Sequence, residues 1–108
     1  MSSDERALVV LVTAPSAEEA AELGRALVDE RLAACATLVP AVRSIYRWEG
    51  KVQDAGEALL VLKTTRDRFE ALRDRTIALH PYEVPEVIAL PVELGSGPYL
   101  AWLARETR

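Results

Sequence analysis

The sequence predicts an α+β sandwich with its elements in the order β-α-β-β-α-β, followed by a short C-terminal helix. Three observations predict it. Residues 7–13 are a continuous apolar run of strand length. Residues 33–65 read as two long strands joined at Trp48-Glu49-Gly50-Lys51. Residues 16–31 and 66–80 carry apolar side chains at helical spacing, one helix before the paired strands and one after.

The first strand, Ala-Leu-Val-Val-Leu-Val-Thr, is expected at the centre of a sheet, and Pro15 stops it. Ser16-Ala17-Glu18-Glu19 matches a capping box, in which the Ser16 hydroxyl and the Glu19 carboxylate cover free amides at a helix start. Ala20, Leu23, Gly24, Leu27 and Val28 then fall on the inner face, with Glu22, Arg25 and Asp29 outward. Gly24 costs a helix about 1 kcal/mol against alanine, which points to a close helix-to-sheet approach.

The second strand has Cys35 near its start and Pro40 in its middle, so it is expected at an edge or with a bulge. Its hairpin arm exceeds the usual strand of about five or six residues, and the tip is expected to project and be covered by another chain. The returning arm has a second bulge candidate at Asp54-Ala55-Gly56 and then Ala58-Leu59-Leu60-Val61-Leu62, a run expected to be covered on both faces. In the second helix the inner face is Phe69, Leu72, Thr76 and Leu79, with Ile77 beside it, and Pro81 ends the helix. Residues 80–86 read as a stiff, extended connector and residues 87–92 as a fourth strand, with Pro91 placing it at an edge. After the turn Gly95-Ser96-Gly97-Pro98, Tyr99, Leu100, Trp102 and Leu103 form a third helix that buries aromatic surface.

This order is the split βαβ pattern of ferredoxin-like sandwiches. Right-handed crossovers place the third strand between the first and second, and the first between the third and fourth. Cys35 and His80 then lie at opposite ends of the sheet and meet only if a neighbouring subunit brings them together. Both helices pack on one face. The open face and two edge strands argue for an oligomer.

The 108 residues fit one domain, half of them hydrophobic, with disorder expected only at residues 1–6. The net charge of −4 argues against nucleic acid or an anionic membrane as partner. The polar N-terminus leads us to expect no signal peptide, and a single cysteine fits a reducing cytosol. No phosphate-binding glycine loop of the Walker or dinucleotide type is present, and neither a Ser-His-Asp nor a paired-carboxylate constellation is visible.

Beyond this, the chain resembles the CutA family, the divalent-cation-tolerance proteins. The resemblance rests on residues 27–35 (Leu-Val-Asp-Glu-Arg-Leu-Ala-Ala-Cys), Ser44-Ile45-Tyr46-Arg47-Trp48-Glu49-Gly50-Lys51, Glu57-Ala58-Leu59-Leu60 and Lys63-Thr64-Thr65. It continues through His80-Pro81-Tyr82-Glu83-Val84-Pro85-Glu86 and Tyr99-Leu100-Ala101-Trp102-Leu103. Thr37 departs from it, standing where the family more often carries asparagine. The resemblance implies a cytoplasmic homotrimer of ferredoxin-like subunits, similar to the PII signalling proteins, with long hairpins paired to neighbours. It implies a link to copper and other divalent metals, and no enzymatic reaction. It also places Cys35, Trp48, Glu57, Lys63, His80, Tyr82 and Glu83 near clefts between subunits.

Each of these residues has a functional and a plainer role. Cys35 is a soft ligand suited to Cu(I), or a small buried hydrophobe between Ala34 and Ala36. His80 is a metal ligand or proton carrier beside Glu83 and Glu86, or a cation at a helix C-terminus. Trp48 and Tyr46 stack on a ligand or anchor a subunit interface. Glu57 and Lys63 act in a cleft or are solvated strand residues. One cysteine, one histidine and one methionine per chain cannot build a tetrahedral structural site, so any copper or other divalent ion is expected to be weakly bound and not required for folding. The two leading readings are a metal-binding trimer using His80 and Cys35, and a PII-like regulator that holds a small metabolite or partner protein by Trp48, Lys63 and Tyr82. An enzyme acting through His80 and Glu83 ranks last.

Overall fold

The computed structural model describes residues 4–108. It contains four strands and three helices: β1 (Ala7–Ala14), α1 (Ala17–Asp29), β2 (Cys35–Trp48), β3 (Lys51–Thr65), α2 (Arg66–Leu79), β4 (Ile88–Pro91) and α3 (Gly97–Glu106). The strands form one antiparallel sheet in the order β2-β3-β1-β4, the order that right-handed crossovers require.

Side chains alternate across a strand, so the sheet has two different faces. Val10 and Val12 of β1 and Leu60 and Leu62 of β3 form the core with Leu23 and Leu27 of α1 and Leu72 of α2. Val9, Leu11, Leu59 and Val61 point the other way and are only half-buried. The apolar run of β3 is therefore fully covered on one face alone within a single chain.

The Ser16 hydroxyl accepts from the Glu19 amide at 3.2 Å, which caps α1. It donates in turn to the Glu19 carboxylate at 3.0 Å, so that carboxylate closes on the hydroxyl and not on a backbone amide. Ala20, Leu23, Gly24 and Leu27 are buried as expected. Val28 lies at the margin of that stripe and is 38% exposed. In α2 the buried face is Leu72 and Thr76, with Phe69 partly buried against the core. The Thr76 hydroxyl donates back to the Leu72 carbonyl at 2.7 Å, so a polar side chain sits there without loss. Ile77, one residue further round the helix, is 48% exposed, and Leu79 at its last residue is 43% exposed. Tyr99 also stays exposed, its ring against the half-buried Trp102 at 5.5 Å, while Leu103 is the buried anchor of α3.

Asp4, Glu5 and Arg6 are held in place. The Asp4 carbonyl accepts from the Asp67 amide at 2.9 Å and the Arg6 carbonyl from the Arg66 amide at 3.0 Å. These bonds satisfy two amides at the start of α2, whose N-cap Thr65 makes no side-chain cap. The expected disorder is thus corrected for residues 4–6, and its remainder lies outside the described residues. The connector after α2 bends over residues 81–84 and is not extended, and β4 is shorter than residues 87–92.

The hairpin fixes the site. Its turn has Glu49 at φ 50° and Gly50 at φ 78°, both left-handed, as a two-residue turn between twisted strands requires. The molecule measures 46 × 26 × 25 Å, and a fourteen-residue strand such as β2 accounts for the long dimension at about 3.3 Å per residue. The register runs regularly from Cys35↔Lys63 to Val39↔Leu59, then resumes at Val42↔Glu57 and holds to Trp48↔Lys51. The single bulge is at Pro40-Ala41, and Asp54-Ala55-Gly56 pairs without interruption. The extra residue on β2 reverses its facing. Before the bulge Cys35, Thr37 and Val39 share the face of Leu59 and Val61. After it, Val42, Ser44, Tyr46 and Trp48 share the face of Glu57.

Candidate functional site

That reversal builds a cleft. Tyr46, Trp48 and Ser44 of β2 turn toward Glu57 of β3 and Thr13 at the end of β1, and the bent connector closes the other side with Pro81, Tyr82, Glu83, Val84 and Glu86. The space between them is about 730 Å3.

Glu57 is the buried polar group of the cleft, 8% exposed although it lies near the projecting arm. The Tyr82 hydroxyl donates to Glu57 Oε2 at 2.7 Å. Partial desolvation, and then the hydrogen bond to Glu57 and its charge, push the phenol of the partly exposed Tyr82 above its usual range. The phenol is therefore a hydrogen-bond donor at all ordinary pH.

His80 is held from both sides. It is the C-cap of α2 and is 8% exposed. Its Nε2 lies 2.7 Å from the Thr13 carbonyl, which can only accept, so Nε2 carries the proton and donates. Its Nδ1 accepts from the Tyr82 amide at 3.0 Å. The ring also packs on Tyr82 at 4.8 Å between centroids. In this arrangement neither ring nitrogen is free, and His80 sets the backbone that carries Tyr82. Sequence reasoning missed the partner that makes this possible, the Thr13 carbonyl at the end of β1. A backbone carbonyl carries no side-chain signal, so no pattern in the sequence points to it.

Cys35 and Lys63 are elsewhere. They face each other across β2 and β3, with Lys63 Nζ 3.8 Å and Thr37 Oγ1 3.7 Å from Cys35 Sγ. The Cys35 side chain is partly exposed, beside a hydroxyl and an ammonium and not sealed in an apolar core. The pair is level with Val9 on β1, whereas His80 meets Thr13, four residues or about 13 Å further along. Lys63 is six residues from Glu57 on the same strand, about 20 Å.

The structure thus brings Trp48, Glu57, Tyr82 and Glu83 to one cleft with His80 behind it, and leaves Cys35 and Lys63 apart. Among the described residues no three His, Cys, Asp or Glu side chains are placed to hold a metal ion. One chain therefore does not fit a complete metal site.

A four-stranded sheet of this order with a bulged, projecting hairpin and an acidic, aromatic cleft along it defines a small α+β protein of the ferredoxin-like class. The family model described as CutA1 divalent ion tolerance protein matches residues 8–106, and the chain belongs to that family. The divalent-cation tolerance protein CutA of Thermus thermophilus is 52% identical over 99 residues, covering 92% of this chain and 96% of that one. A chloroplastic CutA of Arabidopsis thaliana is 48% identical over 101 residues, 94% of this chain but 56% of that protein. The solved Thermus structure superposes with a TM-score of 0.92 at 51% identity, covering 94% and 99% of the two chains. A periplasmic divalent cation tolerance protein CutA from Archaeoglobus fulgidus gives 0.91 at 33% identity over 94% and 99%. No helix among the described residues is long and apolar enough to cross a membrane.

Proposed function

We propose that this protein is a cytoplasmic homotrimer that binds copper or another divalent metal ion at sites shared between subunits, and that it is a binding protein, not an enzyme. One observation carries this reading. Cys35, the soft donor, is on the free edge strand β2, while His80, Glu57, Glu83 and Glu86 are at the other end of the sheet. The same edge that lacks a strand partner thus also holds half of a donor set. A second copy pairing along that edge would cover the strand and supply the missing ligands. The exposed Ile45, Trp48, Val52, Ile88 and Leu90 give the apolar surface that such an assembly buries.

The geometry ranks the donors. Cys35 and the carboxylates Glu83 and Glu86 are accessible, whereas His80 joins a metal only by giving up a backbone hydrogen bond. That same double engagement argues against His80 as a proton carrier. The lone cysteine supports a reducing compartment. Copper titration of the wild type, Cys35→Ser and His80→Ala tests the reading. We expect Cys35→Ser to weaken binding at least tenfold, with a smaller effect from His80→Ala. Equal and very weak binding by all three proteins would overturn it.

A second reading is favoured by the cleft itself: a PII-like regulator that holds a small ligand against Trp48, Glu57, Tyr82 and Glu83. Lys63 belongs to that cleft only if another subunit brings it there.

A further inference from the structure

The lining of the cleft restricts what can occupy it. Tyr46, Trp48 and Tyr82 supply three aromatic rings, and Glu57, Glu83 and Glu86 supply three carboxylates. Neither lysine nor arginine is among the residues of this chain that line the cleft.

Whereas Glu83 and Glu86 are exposed, Glu57 is the buried member. More than nine-tenths buried, it has the Tyr82 hydroxyl on Oε2 as its hydrogen-bond partner, and no described cation is within ion-pair distance. No described side-chain oxygen is both sealed from solvent and unpartnered, so Oε1 keeps its access to the cleft. A buried carboxylate is costly unless a positive group meets it. A cationic occupant would meet it here.

The kind of cation follows from the rest of the lining. A hard divalent ion needs several oxygens converging at about 2.0–2.6 Å, and no such group is formed among the described residues. Aromatic faces instead attract ammonium groups and accept the carbon chain attached to them. The volume of about 730 Å3 is suited to an organic molecule. Separate carboxylates on the strand and on the connector match separate charges on one ligand.

We propose that the cleft binds a linear aliphatic polyamine. One ammonium group sits on Glu57 Oε1, a second on Glu83 or Glu86, and the methylenes between them lie against Tyr46, Trp48 and Tyr82. The net charge of −4 draws such a ligand toward the protein. The proposal rests on the second reading above, a small ligand in this cleft, and names its chemical class.

Calorimetric titration of the full chain with spermidine tests it. Hexane-1,6-diol and magnesium chloride at matched ionic strength serve as comparisons. We expect saturable binding, one spermidine per chain, with quenching of Trp48 fluorescence that Trp48→Phe removes. Glu57→Gln keeps an acceptor for the Tyr82 hydroxyl and should weaken binding at least tenfold, while Glu93→Gln, outside the cleft, leaves it unchanged. Equal binding of the diol, loss of binding in matched magnesium chloride, or equal weakening by Glu57→Gln and Glu93→Gln would overturn the proposal. So would binding that appears only when an oligomer dissociates, since a side chain of a second copy would then fill the cleft. If spermidine fails while neutral or anionic metabolites still quench Trp48, the polyamine is wrong and the ligand cleft stands. If nothing quenches it, both fall.

Discussion

Tyr82 and Glu57 hold each other at the floor of the cleft, and each is hard to replace. Removing the phenol by Tyr82→Phe strips the nearly buried Glu57 carboxylate of its hydrogen bond at 2.7 Å. We expect a loss of about 1–3 kcal/mol in denaturant unfolding, the usual cost of an orphaned buried acceptor. The pH dependence has a definite sign. The folded-state pKa of Tyr82 is raised above its unfolded value of about 10. Its contribution is therefore complete below about pH 10 and falls as pH rises beyond it, so wild type and Tyr82→Phe should converge in strong alkali. Equal stability of the two proteins at pH 7 would contradict this. The residue types of the cleft were legible in the sequence, because Trp48, Glu57, Tyr82 and Glu83 stand in unusual segments. Their states were not. The sequence leaves Glu57 between a cleft role and a solvated strand position, and His80 between a ligand or proton carrier and a helix-end cation, because the carbonyl and amide that occupy the His80 ring belong to Thr13 and Tyr82 of the folded backbone.

At the scale of elements, α1 sits on the sheet through Gly24. A Cβ there would stand 3.0 Å from the Ala36 Cβ and 3.2 Å from Leu60 Cδ1. Alanine would gain about 1 kcal/mol of helix propensity. Overpacking against the Ala36 Cβ, which its backbone holds, and against the Leu60 methyl costs about 1–3 kcal/mol. We therefore expect Gly24→Ala to lower stability by about 1 kcal/mol in urea unfolding; a more stable variant would show that the helix lifts freely. This contact was legible, since a glycine inside an amphipathic helix calls for a packing reason. The bulge at Pro40 was legible too, because proline cannot donate to a ladder. Its consequence was not. One extra residue on β2 turns Tyr46 and Trp48 onto the face of Glu57, and only the register with β3 reveals this. Glycine alone did not make a bulge at Gly56, where Arg43 pairs opposite it and the Arg43–Asp54 ion pair at 2.7 Å spans the neighbouring rungs.

At the scale of the whole molecule, strand order followed from the element order and the handedness of crossovers, and needed no side-chain detail. What one chain leaves open is as telling as what it closes. The sheet buries one face fully, β2 has a free edge, and large apolar side chains along the hairpin and β4 remain in water. In the proposed trimer, the interface that covers these is expected in the obligate class, above about 2,000 Å2, in which folding and association are one process. Sedimentation equilibrium across a dilution series, read beside far-ultraviolet circular dichroism, tests this most directly. The proposed assembly predicts one species at three times the chain mass, with secondary structure lost in step with any dissociation. A folded species at the mass of a single chain would contradict it.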